Sequence, residues 1–155
     1  MLRVAFQGER GAFSEAAAIE LYGDSFEPVP LRSFEEVFRR VQEGQCSTAI
    51  IPIENSLAGS VHRNYDLLLQ HELSIVGEVN LRIVHHLIAT PGTRLEDVRH
   101  IYSHPQALAQ CEQSLAALPG VEVVPAYDTA GSVKMVKEQH RADAAAIASL
   151  RAAEL

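Results

Sequence analysis

The run Pro52-Ile53-Glu54-Asn55-Ser56-Leu57-Ala58-Gly59-Ser60 gathers a carboxylate, a side-chain amide, hydroxyls and a glycine into one short stretch at the end of an apolar segment. Polar side chains and accessible backbone amides on a loop fed by a strand suit the gripping of a small polar ligand. Glu54 offers a group that can orient neighbours or carry a proton, Asn55, Ser56 and Ser60 offer neutral donors, and Gly59 leaves backbone bare.

Further loops carry the same kind of chemistry. Gly8-Glu9-Arg10-Gly11-Ala12-Phe13-Ser14 lies between a predicted strand and a predicted helix. Gly11, Ala12, Phe13 and Ser14 either aim amide N–H groups at an anion or form a plain strand-to-helix turn with Ser14 near the cap. The third glycine of a dinucleotide fingerprint is missing. In Ser103-His104-Pro105-Gln106-Ala107-Leu108-Ala109-Gln110-Cys111, Ser103 and Gln106 have capping-box spacing and Pro105 suits a first helical turn. Gln110 lies one turn beyond Gln106, so a helix opening at a cleft would present Ser103, Gln106 and Gln110 in a row. His104 is a proton carrier or a structural first-turn residue. In Tyr127-Asp128-Thr129-Ala130-Gly131-Ser132, Asp128 is the expected N-cap, and Thr129 faces whatever sits above the sheet.

Other chemistries fail on spacing. The histidines show neither HExxH nor a cysteine partner pattern, so no metal site is expected, and GxSxG is absent. Ser56 and Ser60 have no histidine and acid placed by sequence to activate them. Cys46 and Cys111 fall in unrelated elements and read as buried thiols. A formal charge of −7 without a basic cluster argues against nucleic acid and anionic membrane as partners. No apolar run approaches the roughly 20 residues of a membrane span. With Met1-Leu2-Arg3-Val4 leading straight into a strand, a cytoplasmic location is expected.

The elements that must position these loops alternate. Strands are predicted over 2–7, 25–30, 48–53, 73–83, 84–90, 98–103, 121–125 and 143–148. Helices are predicted over 13–22, 34–43, 61–70, 105–118 and 129–139, with Ser33 and Glu36 as a capping box, Gly44 as a stop, and Val61, Tyr65, Leu68 and Leu69 on one helix face. Such alternation predicts an α/β fold with mostly parallel sheets. The extended segment at about 73–90 divides the chain into a first α/β lobe over 1–77, incomplete without a return segment, and a second over 78–155, with ligand expected between them at the carboxyl ends of the strands.

GERGAFSEAA at 8–17, IPIENSLAGSVHRNYDLLL at 51–69, IVGEV at 75–79, SHPQALAQC at 103–111, DTAGS at 128–132 and AAIAS at 145–149 resemble, in order and spacing, the prephenate dehydratases. The stretch around His62-Arg63-Asn64-Tyr65-Asp66 also resembles the arogenate dehydratases. The resemblance implies a two-lobed fold like the type II periplasmic binding proteins. It also implies a carbon–oxygen lyase that converts prephenate to phenylpyruvate in phenylalanine synthesis. No cofactor is expected, and an uncovered lobe edge would invite association into a homo-oligomer. Glu54, Asn55, Ser103, Gln110 and Thr129 are the expected catalytic residues. Gly11, Ala12, Phe13, Ser14, Asn55, Ser56, Gly59, Ser60, His104, Gln106 and Asp128 are the expected substrate contacts. The alternatives are an arogenate dehydratase, or a module that binds a small acid without chemistry.

One departure stands out. The family's Thr-Arg-Phe motif, proposed to supply the acidic hydroxyl, has no match before Leu155, since Thr93-Arg94-Leu95 follows the turn Pro91-Gly92 and runs into Glu96-Asp97. The C-terminal ACT regulatory domain of many relatives has no counterpart either. The expectation is a fragment with impaired activity.

Overall fold

The computed structural model describes residues 1–155, which form two compact units, 1–82 and 83–155. In the first unit the elements are β1 (Leu2–Gln7), α1 (Phe13–Tyr22), β2 (Phe26–Leu31), α2 (Phe34–Gln42), β3 (Thr48–Ala49), β4 (Glu54–Asn55), β5 (Gly59–Ser60) and α3 (His62–Gln70). A parallel sheet runs in the order β2-β1-β3, with Val4 opposite Pro28 on one side and Thr48 on the other. The prolines explain which strand takes the edge. The Leu31 carbonyl accepts from Gly8, so every second residue of β2 faces β1, and Pro28 and Pro30 turn their missing N–H groups outward.

Because β1 steps one way to β2 and the chain then crosses back to β3, right-handed connections put α1 and α2 on opposite faces. Central β1 is therefore covered on both sides, and Val4, Ala5 and Phe6 are fully buried. Ala5, Leu31, Val37 and Cys46 form the core beneath α2. Each large apolar side chain so buried contributes about 1.5–3 kcal/mol. Ser33 caps α2 by accepting from the Glu36 N–H at 3.2 Å, and Gly44 follows with φ +70°, both as the spacing predicts.

The second unit holds β6 (His86–Ala89), a 3₁₀ turn (Leu95–Asp97), β7 (His100–Ser103), α4 (Pro105–Gln110), α5 (Glu112–Ala116), β8 (Glu122–Pro125), α6 (Thr129–Glu138), β9 (Ala144–Ala148) and α7 (Leu150–Glu154). Its sheet runs β6-β9-β7-β8, parallel except for β6. Central β9 is buried at every position, and its alternation divides the core. Ala144, Ala146 and Ala148 pack with Ala130, Val133 and Val136 of α6, while Ala145 and Ile147 pack with Ile101, Ala107 and Leu108. Alanines let the helix approach the sheet closely.

Three expectations need correcting. Residues 73–83 join no sheet, although Val79, Leu81 and Ile83 alternate with polar residues; alternation sets which side chains share a face, whereas a strand also needs a ladder of paired N–H and C=O groups, which this segment does not form. The helix expected over 105–118 breaks at Cys111 (φ −102°, ψ 7°), which turns Leu115 and Leu118 back toward Ile101 and Leu108. The buried face of α3 carries Asn64 and Leu67, whereas Tyr65 and Leu69 are exposed.

At the amino ends of the second sheet, Arg141 grips Asp143 with Nε and Nη2, at 2.9 and 2.7 Å, and donates from Nη1 to the Tyr102 hydroxyl at 2.7 Å. The paired hydrogen bonds from Arg141 hold the Asp143 carboxyl at about 2, below its ordinary 3.8. A depressed folded-state value means that the stability Asp143 contributes is complete above about pH 4 and is lost as pH falls toward about 2. Urea midpoints of Asp143→Asn and the parent should therefore differ at neutral pH and converge through that window; a constant gap would refute the linkage.

Candidate functional site

In the first unit, the Glu54–Ser60 stretch is a hairpin and not an open loop. Glu54 pairs with Ser60 and Asn55 with Gly59, antiparallel, leaving Ser56, Leu57 and Ala58 as its tip. Three-residue hairpin loops close through a residue in the left-handed region, and Gly59 supplies it at φ +81°. The Asn55 Oδ1 accepts from the Leu57 and Ala58 N–H groups at 3.0 and 3.1 Å. That Asx turn fixes which end of the amide accepts, so the Nδ2 end is presented as a donor. Glu54, Ser56, Gly59 and Ser60 are exposed, and Asn55 is half-buried.

The hairpin is tied down at its base. Val61 donates to the Ile53 carbonyl at 2.8 Å, and fully buried Asn64 donates from Nδ2 to the Pro52 carbonyl at 2.8 Å. The helical pattern gives no sign of this role for Asn64, because a polar residue on an amphipathic helix is expected to face water. Gly59→Ala isolates the turn's conformational demand, because an added Cβ meets no atom within 4 Å. The expected cost is about 1–2 kcal/mol, read as a lower urea midpoint at unchanged slope; an unchanged midpoint would refute it.

The Gly8–Ser14 loop also differs from its simplest reading. Gly11 (φ +87°) is buried and donates its N–H to Oε2 of Glu15 at 2.6 Å, while Arg10 Nε reaches Oε1 of the same carboxylate at 2.9 Å. Glu15 is 1% exposed. The anion facing this loop is thus the protein's own, from the third position of α1. Ala12 is the N-cap of α1 without a side-chain bond, and Phe13 and Ser14 open the helix half-buried. Glutamate at that helical position was the available signal, since it reaches back to N–H groups ahead of the helix.

In the second unit, the topology collects side chains at one edge. β7, β8 and β9 end at Ser103, Pro125 and Ala148, and antiparallel β6 begins at that same edge, with His86 opposite Ala148. Ser103, His104, Thr129 and also His85 are therefore brought to the carboxyl edge of the sheet, where parallel folds hold ligands. Their individual states differ from the expected row. Ser103 is fully buried, and its hydroxyl donates to the Ile147 carbonyl at 2.6 Å. His104, not Ser103, caps α4, its Nδ1 accepting from the Gln106 N–H at 3.2 Å. Gln106 is exposed, and Gln110 is half-buried with Oε1 2.6 Å from Nε2 of His85. Asp128 caps α6 as expected, accepting from the Gly131 N–H at 2.5 Å, and leaves Thr129 as the first helical residue, half-buried.

Cys46 is buried and Cys111 half-buried, both free. Burial pushes the Cys111 thiol up from its ordinary value. No helix is long and apolar enough to cross a membrane.

The model of the family described as prephenate dehydratase matches residues 4–155. An Arabidopsis thaliana protein named arogenate dehydratase/prephenate dehydratase 2, chloroplastic, is 50% identical over 99% of this chain and 40% of its own length. The chain thus spans about two fifths of that relative. A solved structure of prephenate dehydratase from Arthrobacter aurescens, in complex with L-Phe, superimposes with a TM-score of 0.89 at 33% identity, covering 99% of this chain and 52% of that one. A structure of GqqA, described as a novel type of quorum quenching acylase, gives a TM-score of 0.89 at 38% identity, covering 98% and 55%. The fold is the periplasmic-binding-protein-like α/β fold of these neighbours. The cytoplasmic expectation is overturned by the chloroplastic naming of the Arabidopsis relative, because charge and hydropathy carry no organelle address.

Proposed function

The chain belongs to the prephenate dehydratase family, and on that footing we propose that it serves the decarboxylating dehydration of prephenate, or of its amino counterpart arogenate. The observation that carries this reading is the family match across residues 4–155. The roles proposed for the residues follow from what the reaction needs. The substrate loses its ring carboxylate as carbon dioxide, the freed electron pair aromatises the ring, and the C4 hydroxyl leaves as water after taking up a proton. Donors for carboxylates are therefore needed, and they must not hold the departing carboxylate too firmly.

None of the candidate residues is Lys or Arg. Asn55, with its acceptor end pinned in the Asx turn, acts as a neutral carboxylate donor beside Ser56, Ser60 and the Gly59 amide. Gln110 and Thr129 act likewise in the second unit, with Ser103, His104, Gln106 and Asp128 shaping their edge. Gly11 and Ala12 hold the turn from which Phe13 and Ser14 offer N–H groups at the start of α1. Glu54, exposed at the hairpin's base, serves as an orienting or proton-carrying group. Ser103 spends its hydroxyl on the Ile147 carbonyl and not on a histidine, so it is not set up as a histidine-activated nucleophile. Self-association belongs to the same proposal, supported by exposed Leu69, Ile75 and Val76 and checked by light scattering.

The test is direct. The 155-residue chain is incubated with prephenate and with arogenate, and phenylpyruvate and phenylalanine are followed. Product from either substrate supports the reading and shows which one is preferred. Saturable binding without turnover would favour a binding module, and neither binding nor turnover would refute the proposal.

A further inference from the structure

The antiparallel placement of β6 gives the second unit a residue that the alternation of parallel strands does not foreshadow. His85 immediately precedes β6, at the edge where the other strands end, and its Nε2 lies 2.6 Å from Oε1 of Gln110, the last residue of α4. A carbonyl oxygen only accepts, so Nε2 carries the proton in this contact.

We propose that His85 is a positioning residue that fixes the side-chain amide of Gln110 with its nitrogen end toward a substrate carboxylate. The inference rests on the reading that Gln110 touches substrate. A glutamine amide is nearly symmetrical in shape and opposite in hydrogen bonding at its two ends. Turned one way it donates to a carboxylate; turned the other it sets an oxygen against an anion. A donor held on Oε1 selects the first orientation, and it does so before ligand arrives, which removes the ordering of a long, rotamer-rich side chain from the cost of binding. Both residues are half-buried, so water competes weakly for the contact.

No spacing rule links residues 25 positions apart; the link needs the antiparallel strand.

The experiment compares the parent with His85→Phe, His85→Gln, Gln110→Leu and the double variant His85→Phe/Gln110→Leu, using prephenate as probe. The readouts are kcat/KM for phenylpyruvate formation, or Kd by calorimetry where turnover is slow, together with the ring-nitrogen NMR signals of His85. The expected result is an Nε2–H signature in the parent and a roughly tenfold loss in His85→Phe, the scale of one misplaced hydrogen bond to a charged group. His85→Gln, whose amide nitrogen reaches the place of Nε2, should recover to within about threefold. The double variant should be no worse than Gln110→Leu alone. If His85→Phe costs as much in the Gln110→Leu background as in the parent, or if His85→Gln fails to recover, the positioning role is overturned while the reading of Gln110 stands. If Gln110→Leu leaves both readouts unchanged, the reading of Gln110 falls and takes the inference with it.

Discussion

Glu15→Ala is expected to destabilise the first unit by about 2–4 kcal/mol, measured by urea unfolding at neutral pH. The estimate starts from what the deletion leaves behind. The Gly11 N–H is buried and has the Glu15 carboxylate as its 2.6 Å acceptor, so truncation strands a buried donor at about 1–3 kcal/mol. A cavity in place of a 1% exposed side chain adds to that. The Arg10 contact adds little, because its side chain is 47% exposed and water replaces the carboxylate there. Glu15→Gln separates these parts. Its amide oxygen still accepts from Gly11, while its NH2 end faces the Arg10 donor, so about 1–2 kcal/mol is expected. A Glu15→Ala loss below about 0.5 kcal/mol, the range of ordinary surface changes, would sink the assignment of Glu15 as the anchor of this loop.

That carboxylate also shows why the sequence could be read only part of the way. The glycines of the Gly8–Ser14 turn announce amide groups available to an anion, and the structure contains such an anion, but one that the chain itself provides. Motif reading sees donors and not which acceptor reaches them first. The caps at Ser33 and Asp128 were legible because each depends on contacts within three residues. Ser103 was not legible in the same way. Its capping-box spacing with Gln106 is local, whereas the partner that holds its hydroxyl, Ile147, lies 44 residues away on a neighbouring strand.

The same distinction accounts for the fold. Strands flanked by helices reveal themselves through period, and β1, β2, β7, β8 and β9 lie close to where the pattern puts them. The alternation over 73–83 is equally regular and yields no strand, because pairing is a property of neighbours. The hairpin of β4 and β5 lay inside a run read as an open loop; the left-handed Gly59 that closes it carries the clue, since a three-residue turn demands that conformation.

Asn55 tests whether binding and stability can be pulled apart at that hairpin. In Asn55→Ala, the Leu57 and Ala58 N–H groups lose Oδ1 but sit on exposed residues, where water takes over, so stability should fall by only about 1 kcal/mol. The functional loss should be larger, because the variant gives up a charge-assisted donor and the turn that aims it. Together these are expected to lower kcat/KM or affinity for prephenate by roughly 100-fold, equivalent to about 2.7 kcal/mol. Asn55→Asp makes the sharper comparison. An aspartate oxygen still accepts from Leu57 and Ala58, so the hairpin should keep its stability to within about 0.5 kcal/mol. The end that donated becomes an anion facing a substrate carboxylate, so function should fall at least as far as in Asn55→Ala. Stability retained with binding lost is the signature of a donor to substrate; an Asn55→Asp protein that binds prephenate as the parent does would remove Asn55 from the site.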